Sequence, residues 1–364
     1  MSRIVILANN DAGLYKFRKE IIAELLKRYE VFVILPYGNY VQELVDMGCN
    51  YFDISLSRRG VNPFKDLILL KKYIKLIKKI RPNYVLTYTI KPNVYGGIAC
   101  RLLKVKYLVN ITGLGSSFEK QNIVSKIVMK LYSIALKHAY TVFFQNNENK
   151  ILLNSLMDIS KNQVLLPGSG INLKEYPFFE YQSDLNVVNY LYVGRLMVDK
   201  GIDELLNSFF LLNEKYPNTT LTIVGPIEEG YDTTALDKMI NQEKIRYVGL
   251  QSDPREFIKK CHVLVNPSHH EGMSNVLLEA SASGRPGIAS DIPGCREIIK
   301  HQETGLLFET KNVASLYNAL ESFYKLDFQK KSLMGKSARN FVEHFFSRDI
   351  VIKKYLEQLE GEKS

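Results

Sequence analysis

The chain has 364 residues, of which 46% are hydrophobic and 24% charged, a composition that excludes disordered and collagen-like classes. This length predicts two domains. The net charge of +10 is concentrated, because residues 1–180 contain 26 basic and 13 acidic side chains and residues 181–364 contain 22 and 25. A positive field suits nucleic acid, an anionic membrane surface or an anionic substrate, and composition leaves all three open.

The four cysteines are scattered without the spacing of a disulfide framework or a zinc site. At the N-terminus, one arginine precedes a short apolar run that lacks the length and cleavage site of a signal peptide. No apolar stretch approaches the roughly 18 residues that span a bilayer. We therefore expect a cytoplasmic protein whose contact with a membrane, if it makes one, is peripheral.

Short runs rich in Val, Ile, Leu and Tyr alternate with segments of helical periodicity, the pattern of a parallel sheet with helices on both faces. In the first half, strands are predicted at residues 4–8, 31–36, 51–56, 84–89, 107–112 and 141–146. In the second half, they are predicted at residues 190–196, 221–226, 245–250, 263–268, 287–291 and 306–309. The sequence thus predicts an α/β fold of two Rossmann-like, parallel-sheet domains.

The segment 64–81 predicts a basic amphipathic helix in the first half. Its apolar stripe, which we expect to pack on the first sheet, consists of Leu67, Leu70, Ile74 and Ile77. Its remaining face carries Lys71, Lys72, Lys75, Lys78 and Lys79. Further cations of this half are Arg58, Arg59, Arg101, Lys104, Lys106, Lys126 and Lys130. Such a face is either simply solvated or lies on an anionic membrane surface.

Glycines, prolines and polar residues interrupt both periodicities in the segment 167–189, as in an interdomain linker. We place the boundary near residue 182, which gives domains 1–181 and 182–364. The last predicted helix, about 348–359, follows the second set of strands. It either caps the second domain or crosses back to the first.

Ligands of open parallel sheets bind beyond the carboxyl ends of the strands, so the loops at those ends are the candidate sites. The loop after the first strand of the second half carries Val193-Gly-Arg-Leu-Met-Val-Asp-Lys-Gly201. Arg195 and Lys200 lie five residues apart around this turn and can converge on one anion. The simpler interpretation is that both are solvated loop residues.

A second candidate loop follows the strand 263–268 and reads PSHHEGMSNVLLEASASGRP. Glu271 lies in the loop, and Glu279 lies about one turn inside a helix that begins near Ser274. The first amides of that helix suit a diphosphate, and carboxylates beside an anion site suit hydroxyl groups of a sugar and a ribose. Alternatively, Ser274 is only an N-cap and Glu279 a solvated charge. His269 and His270 lack metal-ligand spacing, and we attribute them to packing or loop hydration.

Together these motifs resemble the retaining glycosyltransferases of family 4, which have the GT-B fold of two Rossmann-like domains facing across a cleft. The resemblance covers essentially the whole chain. It is most specific in the Gly-Arg-x4-Lys-Gly motif at 194–201 and in the Glu-x7-Glu element from Glu271 to Glu279. Within that family, the chain is most similar to bacterial enzymes that extend capsule, O-antigen or glycan-precursor chains on a lipid diphosphate carrier.

The resemblance implies transfer of a hexose or N-acetylhexosamine from a nucleoside-diphosphate sugar, with UDP favoured, to a lipid-linked saccharide. As catalytic residues, Arg195 and Lys200 would hold the donor diphosphate and Glu271 would contact the donor sugar. Glu279 would bind the ribose, and the loop at Leu250 would face the base. The other implied donor-binding residues are Gly13, Gly194, Gly249, Gly272, Met273, Ser274 and Asn275.

The sequence departs from the family in the loop after the fourth strand. Many relatives carry a histidine there that faces the donor sugar, but residues 87–93 contain none. Lys91 or Asn93 replaces its function, or the acceptor supplies that contact. We assign Lys91, Asn93, Thr112 and Gly113 to acceptor binding.

The resemblance also implies a metal-independent reaction without a cofactor. Transferases of the other common fold bind a metal through an Asp-x-Asp pair, which this sequence lacks. Here two cations and helix amides would stabilise the leaving diphosphate. No residue stands out as a nucleophile for double displacement, so we favour front-face transfer with retention of the anomeric configuration.

The expected partners are the donor, a lipid diphosphate-linked saccharide and an anionic membrane surface on the inner face of the cell membrane. We do not expect nucleic acid as a partner, because no nucleic-acid-binding motif is present and such a role would leave the Glu-x7-Glu element unexplained. A sugar-nucleotide epimerase of similar fold is an alternative. A non-catalytic sugar-nucleotide-binding protein is a weaker one.

Overall fold

The computed structural model describes residues 2–55, 62–113, 123–181 and 187–361. The chain forms two compact units, one of Met1–Ser169 with Asp349–Ser364 and the other of Gly170–Arg348. The division lies earlier than the predicted boundary at residue 182, which falls outside the described residues. The segment before that boundary packs with the second unit, because Ile171 is buried in its core and pairs with Ser347.

The first unit is built on a seven-stranded parallel sheet with the order β3-β2-β1-β4-β5-β6-β7. The strands are β1 (Ser2–Leu7), β2 (Tyr29–Leu35), β3 (Asn50–Asp53), β4 (Tyr84–Tyr88), β5 (Lys106–Ile111), β6 (Thr141–Phe144) and β7 (Gln163–Leu165). The helices are α1 (Asp11–Leu26), α2 (Val41–Asp46), α3 (Pro63–Ile80), α4 (Gly97–Leu103), α5 (Ile123–Lys137) and α6 (Asn147–Leu156), with a π-helical turn at Pro92–Gly96.

The second unit is built on a six-stranded parallel sheet with the order β10-β9-β8-β11-β12-β13. The strands are β8 (Val188–Val193), β9 (Thr219–Val224), β10 (Ile245–Tyr247), β11 (Val263–Asn266), β12 (Gly287–Ser290) and β13 (Gly305–Phe308). The helices are α7 (Ile202–Lys215), α8 (Thr234–Asn241), α9 (Arg255–Lys260), α10 (Asn275–Ala282), α11 (Val313–Lys325) and α12 (Phe328–Phe346). The last helix, α13 (Arg348–Glu360), packs on the first unit, where Tyr355 is buried.

Both faces of the first sheet are covered by helices. Along β1, Ile4 and Ile6 face a core shared with α1, α2 and α13, whereas Val5 and Leu7 face a core shared with α3, α4 and α5. Side chains alternate between the faces of a strand, so a strand buried on both faces is apolar throughout. The two predicted parallel sheets are therefore confirmed. Within the described ranges, no helix is long and apolar enough to cross a membrane.

Helix α3 buries a different stripe from the predicted one. Of the predicted stripe, Ile77 is buried but Leu67 is exposed. The buried residues are Asp66, Leu69, Tyr73, Ile77 and Ile80. Asp66 is stabilised inside the unit by Lys91, whose Nζ lies 2.8 Å from its carboxylate, and by a 3.0 Å hydrogen bond from the Tyr95 hydroxyl. Because of this pairing, the Asp66 side chain faces the core and Leu67 faces solvent.

The strand order predicts a crevice at the carboxyl edge of each sheet. The order reverses between β1 and β4 in the first sheet and between β8 and β11 in the second. At such a point, the loops after two neighbouring strands run to opposite faces of the sheet and leave a crevice at the carboxyl edge. In the second unit, the loops after β8 and β11 carry the two motifs that the sequence singled out.

Candidate functional site

A cavity of about 180 Å³ lies where the strand order of the second sheet reverses. It is enclosed by the end of β8, the loop after β11 and the start of α10. Its lining residues are Tyr192, Val193, Gly194, Lys200, Asn266, Ser268, Glu271, Met273, Ser274, Asn275 and Val276. The structure thus brings together Gly194 and Lys200 of one motif with Glu271 and the following loop residues of the other.

Lys200 and Glu271 form an ion pair at the cavity. The Lys200 Nζ lies 2.7 Å from the Glu271 Oε1, and their side chains are 26% and 16% exposed. The Ser268 hydroxyl donates to the same carboxylate oxygen at 2.9 Å. The site therefore presents an ammonium group, which can bind an anion, beside a carboxylate, which can accept hydrogen bonds from hydroxyl groups.

The two loops that carry this pair are fixed to each other. Gly201, which follows Lys200, has a φ of +66°, and a Cβ at this position would lie 2.0 Å from the Pro267 carbonyl oxygen. The backbone amide of His269 donates to the Asp199 carbonyl at 3.0 Å. The Nε2 atom of the His269 ring lies 3.0 Å from the Glu204 Oε1. These contacts set the spacing of the ammonium and carboxylate groups, and His269 has the packing role expected of it.

The N-terminal end of α10 supplies amides at the cavity. Ser274 is its N-cap residue but makes no side-chain capping bond, and its hydroxyl accepts a 2.6 Å hydrogen bond from the Asn266 Nδ2. The first amides of the helix therefore keep the partial positive charge that attracts anions. The Ser274 amide itself donates to the Gly294 carbonyl at 2.9 Å, so it is removed from the predicted amide cradle.

Arg195 and Lys200 face different carboxylates. The Arg195 Nη1 lies 3.2 Å from the Glu228 Oε2, and half of the Arg195 side chain is exposed. Arg195 is not among the residues that line the cavity. The backbone of Arg195 is held beside the cavity by the Tyr192 hydroxyl, which donates to its carbonyl at 2.8 Å. The expected convergence of the two cations on one group is thus not seen.

Four further donor-binding candidates of the second unit are not among the residues that line the cavity, namely Gly249, Leu250, Gly272 and Glu279. Glu279 accepts a hydrogen bond from Tyr176, and burial together with this carboxylate raises the pKa of Tyr176. The carbonyl of Gly249 accepts the Gly225 amide at 2.9 Å, which joins the loops after β9 and β10. Leu250 is exposed in the second of these loops. All of these residues belong to the second unit, and their roles in donor binding stay predictions.

In the first unit, Gly13 lies in the first turn of α1. Its amide donates to the Asn10 Oδ1 at 2.5 Å, and this bond caps the helix. Gly13 therefore has a plain strand-to-helix role in the structure. Its amide is already used by the cap, so a donor contact through that group would have to displace Asn10.

The two candidates after β4 are bonded within the first unit. Lys91 is mostly buried in its ion pair with Asp66. Asn93 is buried, accepts the Thr87 hydroxyl at 2.8 Å and donates to the Asn110 carbonyl at 2.9 Å. Asn93 therefore joins the ends of β4 and β5, which argues against direct contact with an acceptor.

The loops after β4 and β5 also carry Thr89, Thr112 and Gly113, all of which are partly buried. Thr89 has a φ of +72°, a strained conformation for a β-branched residue, and its buried hydroxyl has no partner. Thr112 and Gly113 are partly buried directly after β5, and Gly113 has a φ of +143°. Residues 114–115, which follow, lie outside the described residues, as do Arg58 and Arg59.

Three residues that line the cavity, Tyr192, Asn266 and Ser268, were not predicted from the sequence. Asn266 and Ser268 are polar residues at the end of an apolar strand, and this position was the available signal. Among the described residues, no group of three or more His, Cys, Asp or Glu side chains is placed to hold a metal ion.

Two family models match the chain. Residues 177–341 match "Glycosyl transferases group 1", and residues 3–146 match "Glycosyl transferase 4-like". The chain is a glycosyltransferase. The first match spans both motifs of the cavity, and the second spans most of the first sheet. Models that between them match both units thus confirm the predicted glycosyltransferase family, and its retaining mechanism stays a prediction.

Relatives of the glycosyltransferase include enzymes of similar length. The N,N'-diacetylbacillosaminyl-diphospho-undecaprenol alpha-1,3-N-acetylgalactosaminyltransferase of Campylobacter jejuni is 28% identical over 97% of each chain. The UDP-Gal:alpha-D-GlcNAc-diphosphoundecaprenol alpha-1,3-galactosyltransferase of Escherichia coli is 25% identical over 88% of this chain and 86% of its own. Among solved structures, Anabaena Alr3699/HepE in complex with UDP and glucose has a TM-score of 0.80 and 16% identity, over 99% of this chain and 100% of its own. This likeness confirms the GT-B fold.

Proposed function

We propose that the glycosyltransferase moves a hexose or N-acetylhexosamine from a UDP-sugar to a lipid diphosphate-linked saccharide, with retention of the anomeric configuration. The observation that carries the proposal is the Lys200–Glu271 pair in a cavity at the N-terminal end of α10. The names of the Campylobacter and Escherichia relatives specify acceptors of this class. The Escherichia relative and HepE support UDP as the nucleotide.

The cavity is suited to the reacting end of the donor. The Lys200 ammonium and the first amides of α10 would bind the diphosphate, and Glu271 would accept hydrogen bonds from hydroxyls of the donor sugar. Arg195, whose side chain is half exposed, would reach the diphosphate by leaving Glu228. Glu279 would bind the ribose, and the loop from Gly249 to Leu250 would face the base.

In the proposed reaction, the bond between the anomeric carbon and the diphosphate oxygen breaks, and a bond to the acceptor oxygen forms on the same face of the sugar. The acceptor hydroxyl gives its proton to the departing diphosphate oxygen. Positive charge develops on the ring and negative charge on the diphosphate. Lys200, Arg195 and the α10 amides stabilise that negative charge without the help of a metal ion.

The proposed acceptor places the enzyme at the inner face of the cell membrane as a peripheral protein. An acceptor with a lipid anchor must be met at a bilayer surface. The excess of positive charge in residues 1–180 would attract the enzyme to anionic lipids. The first unit would then hold the acceptor, and the second unit the donor.

Transfer is tested with the purified full chain, a panel of UDP-hexoses and UDP-N-acetylhexosamines, and a polyprenyl diphosphate-linked saccharide, in buffer with a chelator. We expect one donor to give an extended lipid-linked product, whose new linkage has the anomeric configuration of the donor. UDP should also raise the unfolding midpoint, because a ligand at about 100 times its Kd stabilises the native state by about 2.7 kcal/mol.

The outcomes that contradict this proposal are specific. Isomerised UDP-sugar formed without acceptor would assign the epimerase reaction instead. Nucleotide binding without transfer from any donor would assign a non-catalytic protein. Rescue of Glu271→Ala by azide, with a sugar azide of inverted configuration, would show that Glu271 is a nucleophile and exclude the front-face reaction. Loss of transfer in the chelator, with recovery on addition of a divalent cation, would show that a metal is required.

A further inference from the structure

The N-terminal end of α3 exposes three large apolar side chains. Phe64 is 81% exposed, Leu67 50% and Ile68 54%. They lie within the first two turns of an 18-residue helix, so they form one patch on its outer surface. Isolated exposed apolar residues are ordinary, but a cluster of three at one helix end indicates a contact surface.

The rest of the outer surface of α3 is positively charged. Its exposed lysines are Lys65, Lys71, Lys72, Lys75, Lys78 and Lys79. The one acid of the helix, Asp66, is buried and paired with Lys91. The outer surface of this helix therefore combines an apolar end with a long row of cations and presents no carboxylate of its own.

The neighbouring helices extend this surface. Helices α4 and α5 pack against the same face of the first sheet as α3, with α4 in contact with both of the others. Neither α4 nor α5 contains an acidic residue. Their exposed side chains, and those at their ends, include Arg101, Lys104, Lys126, Ile127 and Lys130. We call the exposed side chains of α3, α4 and α5 the basic face; Lys137, paired with Asp158 at 2.7 Å, marks its edge.

The apolar end of the basic face lies at the binding edge of the sheet. Helices that connect parallel strands run antiparallel to them, so the N-terminal ends of α3 and α5 lie at the carboxyl edge. Phe64, Leu67 and Ile68 are at that end of α3, and Ile127 is in the first turns of α5. This is also the edge at which the loops after β4 and β5 emerge.

We propose that the basic face docks the enzyme on an anionic lipid bilayer, with Phe64, Leu67 and Ile68 inserted at the boundary between headgroups and acyl chains. The lysines of α3 bind the anionic headgroups. A lipid surface is favoured over a nucleic acid because it uses both the apolar end and the cations, whereas phosphate backbones would use only the cations. The inference rests on the proposed function. Docking at this edge would bring a lipid-linked acceptor to the loops after β4 and β5.

The first experiment sediments the full chain with phosphatidylcholine vesicles, with and without phosphatidylglycerol. We expect binding that requires phosphatidylglycerol and is reversed by salt. Replacing Lys71, Lys75 and Lys78 by Gln should weaken partitioning about 100-fold, because one lysine near an anionic surface contributes about fivefold. The matched control replaces Lys238, Lys260 and Lys353, which are exposed outside the basic face, and should partition like the parent chain.

The second experiment uses the absence of tryptophan from the sequence. Phe64→Trp places one fluorophore at the proposed point of insertion. Its emission should shift to shorter wavelength with phosphatidylglycerol vesicles and be quenched by lipids brominated on the acyl chain. Leu211→Trp, at an exposed position of α7, is the control and should show neither effect.

The outcomes separate the docking proposal from the proposed transfer. Equal loss of binding in the two lysine triples, or an emission of the Phe64→Trp variant that vesicles leave unchanged, would overturn docking by the basic face. Binding of duplex DNA without binding of vesicles would overturn it as well. With a water-soluble acceptor analogue, the Lys71, Lys75 and Lys78 variant should keep its transfer rate while losing transfer to vesicle-borne acceptor. If the parent chain transfers no sugar to either acceptor, the transfer proposal fails. Sedimentation with vesicles still tests the docking proposal in that case.

Discussion

Lys200 and Glu271 neutralise each other in a place where an unpaired charge would be costly. The Lys200 Nζ lies 2.7 Å from the Glu271 Oε1. About one-quarter of the Lys200 side chain and one-sixth of the Glu271 side chain are exposed, so water screens the pair only in part. A diphosphate can take the ammonium group, and sugar hydroxyls can take the carboxylate, so donor binding replaces one set of charged contacts with another. The pairing keeps both side chains near the positions in which the proposed reaction uses them.

Removal of the Lys200 ammonium should reduce transfer more than removal of the Arg195 guanidinium. We expect Lys200→Ala to lower kcat/KM by about 100- to 1000-fold, the range for loss of one group that stabilises developing negative charge. Arg195 is half exposed, and Arg195→Ala should cost about 10-fold, as for a group whose charge is largely screened.

Steady-state kinetics with the active UDP-sugar measure this difference. Lys215→Ala removes an exposed cation from the end of α7 and serves as the control, with kcat/KM unchanged. Equal, small effects of Lys200→Ala and Arg195→Ala would contradict the proposed role of the cavity. Far-UV circular dichroism would confirm that each variant is folded.

The charged residues of the site were predictable because they lie with glycines at strand ends, a pattern that a sequence displays. Their hydrogen-bond partners were not. The Ser274 amide is bonded to the carbonyl of Gly294, which is distant in sequence, and Asn93 is buried by contacts to the next strand. Such pairings depend on tertiary structure, which local patterns do not contain.

At the scale of elements, Lys331 couples α12 to the end of α11. It is buried, and its Nζ donates to the carbonyls of Tyr324 at 2.9 Å and Leu326 at 2.7 Å, where α11 ends. These bonds satisfy carbonyls that a helix end leaves without partners. Burial lowers the pKa of Lys331 from 10.5 to about 8.

This lowered pKa predicts a stability that rises with pH. Between pH 8 and 10.5 the unfolded chain binds a proton at this lysine that the folded chain has lost. The unfolding free energy should therefore increase across that window, by at most about 1.4 kcal/mol per pH unit, and level off on either side. Because other groups titrate there too, the quantity to measure is the difference between the parent chain and Lys331→Met in urea unfolding.

Lys330→Met is the matched control, because Lys330 is the exposed neighbour on the same helix. From pH 8 to 10.5, the difference in unfolding free energy between the parent chain and Lys331→Met should change more than the difference between the parent chain and this variant. Parallel pH curves for the parent chain and Lys331→Met would show that the ammonium group of Lys331 is not perturbed in the folded state.

Most strands were predictable from the sequence, because short apolar runs alternate regularly with segments of helical periodicity. Strand β7 was missed, since its three residues, Gln163–Leu165, are too few to show periodicity. The helical period of α3 was recognised, but its orientation was not. Apolar residues occur on two sides of that helix, and the ion pair of Asp66 with Lys91 determines which side is buried.

At the scale of the whole molecule, the uneven distribution of charge along the chain follows the division into two units. The positive excess lies in residues 1–180, and the cavity with the donor motifs lies in the second unit. The first unit therefore carries the positive charge that the proposed docking on an anionic surface would use, whereas the proposed donor site of the second unit would use a few cations at short range. The division between Ser169 and Gly170 was not located by the sequence, because the linker-like segment that follows is packed into the second unit.

The two units should also lose stability separately, although the first is assembled from both ends of the chain. Tyr355 of α13 is buried against the first sheet, with its ring 4.4 Å from that of Phe143 and its hydroxyl 3.3 Å from that of Tyr88. Phe323 of α11 is buried in the second unit beside Tyr190. Tyr355→Ala and Phe323→Ala should each cost about 3–5 kcal/mol, the range for loss of a buried aromatic side chain.

Amide hydrogen exchange resolves where that stability is lost. Tyr355→Ala should accelerate exchange in β1, β4, β5 and β6 and leave β8 to β13 protected, whereas Phe323→Ala should do the reverse, because each unit has its own core. The stabilisation by UDP of the strands β8 to β13 should survive in the Tyr355→Ala variant, since the cavity belongs to the second unit. If either substitution accelerates exchange equally in both sheets, the chain unfolds as one cooperative body, and α13 stabilises the whole enzyme rather than the first unit.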